Sequence, residues 1–202
     1  MNVGMSRDIV QESRLSSAIA DFRAGGAAEG RDDALWLPDW RDEDWNLLFG
    51  FMDIRNVQSG QPLIRGGEPD RTFYFVLRGE LEIIVQSSDG LTMRRVAQAG
   101  AGAVLGELAF FDGGPRSATA SAMAPCEVAA MSQDQYAAFE LASPGLARSL
   151  LFALGRILAT RLRRTTAKLA GRSGGRIRRQ RARQAIQAAP DYQATVNRLF
   201  FR

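Results

Sequence analysis

The chain has 202 residues, 46% of them hydrophobic and 24% charged, which is enough for a full core with appendages. It contains no histidine and a single cysteine, Cys126, so an intrachain disulfide and a His/Cys zinc site are both excluded. The net charge of +4 is unevenly spread: residues 1–140 carry 12 basic and 21 acidic groups, whereas residues 141–202 carry 14 basic groups and one acid, Asp191.

In chain order, Ile9, Val10, Leu15, Ile19 and Phe22 recur near helical spacing and predict an amphipathic helix from Ser6 to Phe22. Gly25 to Gly30 reads as a flexible break. A second helix is expected after Pro38, with Trp40, Trp45, Leu48, Phe49 and Met52 as its apolar stripe. Short strands separated by glycine turns are expected at 54–58, 62–65, 72–78, 80–86, 92–98, 118–124 and 126–131. Ser87-Ser88-Asp89-Gly90 has the composition of a hairpin turn. Many short strands in succession suggest an antiparallel roll or barrel. Cys126, in an apolar-leaning run, reads as a buried core thiol.

Ser132 can cap a short helix through Phe139, and Pro144 suits the first turn of a longer one running toward Leu169. Leu150, Leu151, Leu154, Ile157, Leu158 and Leu162 would share its apolar face. Gly171 to Gly175 should interrupt it before the basic run Arg176 to Arg183, and a last helix is expected from Asp191, with Tyr192, Val196, Leu199 and Phe200 on one face. There is neither a secretory leader nor an apolar run able to span a bilayer, so the expected compartment is the cytoplasm.

The densest chemistry lies in Gly106-Glu107-Leu108-Ala109-Phe110-Phe111-Asp112-Gly113-Gly114-Pro115-Arg116-Ser117-Ala118-Thr119. Gly106 lets backbone approach closely. Residues 107–110 can open a short helix whose free amides favour an anion. Arg116 offers a planar fork for phosphate oxygens, and Glu107 can accept from a sugar hydroxyl. The plain alternative is a solvated acid and a surface cation, or the two paired with each other.

This run resembles the phosphate-binding cassette of the cyclic nucleotide-binding domain family, through Gly-Glu-Leu, the spacing to Pro-Arg-Ser-Ala, and the flanking strands. The resemblance implies an α+β fold: an antiparallel β-roll (a double-stranded β-helix, jelly-roll-like) flanked by helices, with a long C-terminal helix. It covers residues 38–170, leaving 1–37 as an N-terminal helical extension and linker and 171–202 as a basic tail. It implies that Glu107 holds the ribose 2′-hydroxyl and that Arg116 and Ser117 hold the cyclic phosphate, assisted by backbone near Gly106, Leu108 and Ala109. Val85, Val96, Val104 and Leu105 are candidate walls for the base. The long helix would supply a lid, with Thr165 and Thr166, or in a gap-free comparison Arg161 and Leu162, at the purine edge. Ser117 after the arginine favours cAMP over cGMP as ligand.

The expected function is a non-enzymatic, cytoplasmic regulatory module with no cofactor, signalling by ligand-coupled movement of its C-terminal helix to an effector protein. The alternative is a scaffold of the same fold without ligand. Without histidine, and with Lys168 as the only lysine, no acid–base or nucleophile pattern emerges. The long helix would either pair with a second copy in a homodimer or pack on its own roll. The chain beyond Gly171 is too short for a winged helix-turn-helix. Its arginines instead suit nucleic acid or another acidic surface, the alternative being a solvated tail, while Leu199-Phe200-Phe201-Arg202 also permits docking on a membrane surface or a partner.

Overall fold

The computed structural model describes residues 16–26, 34–35, 37–86 and 92–187, the side chains of 171–187 excepted. The expected turn at 87–90, the helix before residue 16 and the last helix from Asp191 lie outside these residues. Two compact units are present, one ending at Ala159 and one beginning at Thr160.

Among the described residues, the first unit is built on eight short strands. They are β1 (Asp53–Val57), β2 (Pro62–Ile64), β3 (Phe73–Arg78), β4 (Glu80–Gln86), β5 (Met93–Gly100), β6 (Val104–Leu105), β7 (Thr119–Ala122) and β8 (Cys126–Met131). They form two four-stranded antiparallel sheets with orders β1-β8-β3-β6 and β2-β7-β4-β5. This is the expected roll, and all seven expected strands match to within two residues at each end. The strand expected at 118–124 is shorter, and β6, only two residues long, was not expected.

β3 explains how the layers are arranged. Its Phe73-Tyr74-Phe75-Val76-Leu77 run is buried throughout because both faces of the strand are covered. Phe73, Phe75 and Leu77 join a core shared with the helices, whereas Tyr74 and Val76 join Val57, Ile64, Leu81, Leu105, Ala120 and Val128 inside the roll. The same alternation separates Val104 and Leu105, which belong to the helical core and the roll interior respectively. Cys126 is a free, buried thiol in the interior cluster.

The helices of this unit cover one sheet. Residues 16–26 form α1, and Asp42–Gly50 forms α2, opened by three acids that suit the positive end of the helix. Phe22 of α1 is 1% exposed and stacks on Phe75 at 4.6 Å, with Trp45 edge-on at 6.0 Å. Trp40 and Trp45 anchor the same core, with ring centroids 5.2 Å apart. Arg78 on β3 ties α1 down through Asp21 at 2.7 Å and the Ser17 hydroxyl at 2.7 Å. Gly25 and Gly26 are therefore helical and closely packed: a Cβ on Gly25 would lie 2.4 Å from the Ala101 carbonyl oxygen. The expected break is corrected at these two residues for that reason, and its remainder, 27–30, lies outside the described residues.

α3 (Glu107–Asp112) follows β6, and α4 (Gln133–Ala142) follows β8. Ser132 Oγ accepts from the Gln135 amide at 3.2 Å while Gln135 Oε1 accepts from the Ser132 amide at 2.8 Å, a reciprocal cap. α5 (Pro144–Gln187) buries Ala147, Leu150, Ala153, Leu154 and Ile157 in the helical core.

α5 departs from expectation in two ways. Leu162 is 68% exposed rather than part of the apolar face. The helix also continues through Gly171–Gly175 instead of stopping there. Each glycine costs roughly 1 kcal/mol relative to alanine, but arginine, alanine and glutamine around them are good helix formers, and no proline intervenes before Pro190.

Candidate functional site

The cassette is assembled where β6 turns into α3. Gly106 occupies the left-handed region at φ 80°, and a Cβ on it would lie 2.5 Å from Arg116 Nη1 and 2.7 Å from the Thr72 carbonyl oxygen. Conformation and space both require glycine here. The first helical bond of α3 runs from the Phe110 amide to the Gly106 carbonyl at 3.2 Å, so the first-turn amides at 107–109 precede the helical ladder. Gly113, at φ 69°, ends the helix, and Asp112 Oδ1 accepts from the Gly114 amide at 2.9 Å to shape the following turn.

Arg116 is held from both its backbone and its side chain. Its amide donates to the Glu68 carbonyl at 3.0 Å, and its carbonyl accepts from the Gly67 amide at 2.8 Å. The residue is only 4% exposed. Nη2 donates to Asp70 Oδ2 and to the Thr72 carbonyl, both at 2.5 Å, and Nη1 donates to the Gly106 carbonyl at 3.0 Å. The guanidinium sits 5.8 Å from the centroid of the Tyr74 ring, a cation–π distance. Nε is buried and has no hydrogen-bond partner among the described residues. Of the five donor hydrogens of a guanidinium, three are used, leaving the one on Nε and one on Nη1.

Asp70 balances this charge. Partial burial by itself would raise its pKa, but the bond from Arg116 and the two from Thr72 outweigh that and hold the carboxyl below its ordinary value. Thr72 contributes its amide at 3.0 Å and its hydroxyl at 2.8 Å. Burial, with the Asp70 charge next, pushes the Tyr74 phenol up. Asp70, Thr72 and Tyr74 were missed in the sequence because they lie more than 40 residues before Arg116 and carry no local motif. The one available signal was an acid in a Gly-Gly-Glu-Pro-Asp loop just before an apolar strand.

The other expected residues divide into groups. Glu107 is buried at 5% exposure and follows the glycine whose carbonyl binds Arg116. Ala109 is buried, Leu108 is 43% exposed, and Ser117 is exposed beside the buried arginine. Among the wall candidates, Leu105 lines the roll interior in the same cluster as Tyr74. Val85 is half-buried on β4, and Val96 is 48% exposed at a bulge of β5, where pairing shifts between Ile83 and Ile84. Val104 is corrected: it points to the helical core, so it cannot line a site inside the roll. Thr165, Thr166, Arg161 and Leu162 lie in the second unit, where the Thr165 hydroxyl donates to the Arg161 carbonyl at 2.9 Å.

Residues 54–140 match the family model described as the cyclic nucleotide-binding domain. This part of the chain belongs to that family. A CRP-like cAMP-activated global transcriptional regulator of Mycobacterium tuberculosis is 29% identical over 64% of this chain and 56% of its own length. The cAMP-activated global transcriptional regulator Vfr of Pseudomonas aeruginosa is 32% identical over 57% of this chain and 53% of its own. The chain thus spans about half the length of the curated relatives it matches. Among solved structures, a cyclic nucleotide-binding domain from Methylobacillus flagellatus superposes with TM-score 0.64 at 25% identity, covering 77% of this chain and 85% of that one. The Thermus thermophilus catabolite activator protein superposes with TM-score 0.60 at 26% identity, covering 67% and 62%. Among the described residues, no helix is long and apolar enough to cross a membrane, and no cluster of acids and thiols is suited to a metal ion.

Proposed function

We propose that the chain is a non-enzymatic regulator that binds a cyclic nucleotide, cAMP in preference to cGMP, through its cassette, and acts on an effector protein. The observation that carries this reading is the Arg116 guanidinium, almost wholly buried yet left with an unpartnered Nε beside a turn that only glycine can make. A buried donor without a partner costs free energy unless a ligand supplies the acceptor. A ring-closed phosphate carries one negative charge and suits the two free N–H groups. In this reading Ser117 and the backbone at Gly106, Leu108 and Ala109 assist Arg116, and Glu107 accepts from the ribose hydroxyl. Leu105 and Val96 would wall the base.

A route for the signal runs through this unit. Phe110 of α3 packs edge-on against Phe73 and Tyr136, with centroids 4.9 and 5.5 Å away, and its carbonyl accepts from Gln133 Nε2 at 2.8 Å. The Tyr136 hydroxyl in turn donates to the Ala147 carbonyl of α5 at 3.3 Å. Burial, with the Glu140 charge next, pushes that phenol to about 12, so it remains a donor at neutral pH. Ligand that pulls on α3 would therefore bias α4 and α5, provided its affinity differs between two arrangements. Amide exchange over 140–170 should change with cAMP, and unchanged protection would reject the coupling.

A second reading is favoured by Asp70, which already neutralises Arg116. In it the roll is a ligand-free scaffold whose arginine is structural. Calorimetric titration with cAMP and cGMP separates the two. Heat and saturation with cAMP support the sensor; silence with both nucleotides, for the wild type and for Asp70→Asn, supports the scaffold.

A further inference from the structure

The second unit carries a pattern that the nucleotide site does not use. Ten of its residues between Arg161 and Arg183 are basic, and no acid occurs between Glu140 and Asp191. The whole stretch to Gln187 is helical. Arg161, Arg164, Lys168, Arg172, Arg176, Arg179 and Arg183 follow one another at steps of three or four. On an α-helix that spacing gathers them into one stripe about 120° wide. Arg163, Arg178 and Arg181 fall outside it. Of its described side chains Lys168 is exposed, and Arg161 and Arg164 are half-buried.

The stripe works against the helix that bears it. Like charges four apart repel, by a few tenths of a kcal/mol per pair, and Arg164, Lys168, Arg172 and Arg176 form an unbroken ladder of them. Gly171, Gly174 and Gly175 weaken the same segment. A polyanion lying along the stripe would remove the repulsion. Away from the stripe the large apolar residues Leu162, Leu169 and Ile177 recur only once every two turns, too sparse a face to bury in a membrane.

We propose that the helix over 160–187 is a sequence-independent binding element for the phosphate backbone of B-form DNA. Its side-chain-bearing cylinder, roughly 10–12 Å across, fits a major groove about 12 Å wide, whereas the major groove of an RNA duplex is deep and narrow. Its length, about 42 Å at 1.5 Å per residue, exceeds one DNA turn of about 34 Å. No aromatic residue lies between 161 and 183, so base stacking is not part of the contact.

The test is anisotropy of a labelled DNA duplex of mixed sequence titrated with the full chain at several salt concentrations. With all seven stripe cations engaged, log affinity should fall against log salt with a slope of about −6. Replacing Arg172, Arg176 and Arg179 by Gln should bring it to about −3.6, and Lys at the same positions should restore it. Replacing the off-stripe Arg163, Arg178 and Arg181 by Gln removes equal charge and should shift the slope by less than about 1. Absent or salt-insensitive binding, equal effects of the two Gln triples, or tighter binding to an RNA duplex or to phosphatidylserine vesicles would each overturn the proposal. Failure here leaves cAMP titration unaffected, so the two readings fall separately.

Discussion

Arg116→Leu separates the guanidinium's two jobs. In the folded protein it supplies donors to the Thr72 and Gly106 carbonyls and to Asp70. Leucine removes this donor from the Thr72 carbonyl, at about 1–3 kcal/mol, while the Gly106 carbonyl keeps its bond from the Phe110 amide. Asp70 has a side chain 43% exposed and can turn to water, so its share is below about 1 kcal/mol. The expected loss of stability is about 1–4 kcal/mol, read as a lower urea midpoint with an unchanged slope. Binding has its own magnitude. Two N–H groups remain for the ligand, and hydrogen bonds to a charged group contribute about 1.5–3 kcal/mol each, so cAMP affinity should fall about 10²- to 10⁴-fold. Calorimetry on folded variant below its urea midpoint measures this independently of stability. Affinity within about twofold of wild type would refute the phosphate role; an unchanged urea midpoint would refute the structural one.

Other substitutions probe the surroundings. Gly106→Ala should cost at least about 1–2 kcal/mol from its positive φ alone, with further loss from the contact with Arg116; an unchanged denaturation midpoint would contradict the geometry. Phe22→Ala should destabilise the first unit by about 3–5 kcal/mol, since its ring is buried against Phe75, and a loss below about 1 kcal/mol would show α1 to be dispensable. Asp70→Asn tests pH. A carboxyl held below its ordinary 3.8 adds stability above the unfolded pKa and loses it as pH falls through the folded one. Wild type should therefore be the more stable near neutrality, and its gap to Asp70→Asn should narrow as pH falls below 3.8; a gap that does not narrow would count against the pairing.

Much of the fold could be read directly. Short runs separated by glycine turns placed the strands, Ser132 and Pro144 placed two helix starts, and Gly-Glu-Leu with Pro-Arg-Ser placed the cassette. β6 escaped because two residues carry no period, and only pairing with Tyr74 and Phe75 makes them a strand. Gly25 and Gly26 suggested a hinge because glycine tolerates both looseness and tight contact, and the chain alone does not say which.

What the linear order of residues determined by itself is local: where backbone can turn, which stretches alternate, where cations accumulate, and that one Glu and one Arg flank a glycine-led helix. Those properties depend on neighbours within a few positions, so they are written in the spacing. The tertiary structure decided the rest: that Val104 faces helices while Leu105 faces the roll, that α1 supplies core, and that Asp70 and the Thr72 carbonyl grip Arg116. Burial and long-range ion pairs arise only when distant segments share one interior, and no local spacing records which segments those will be.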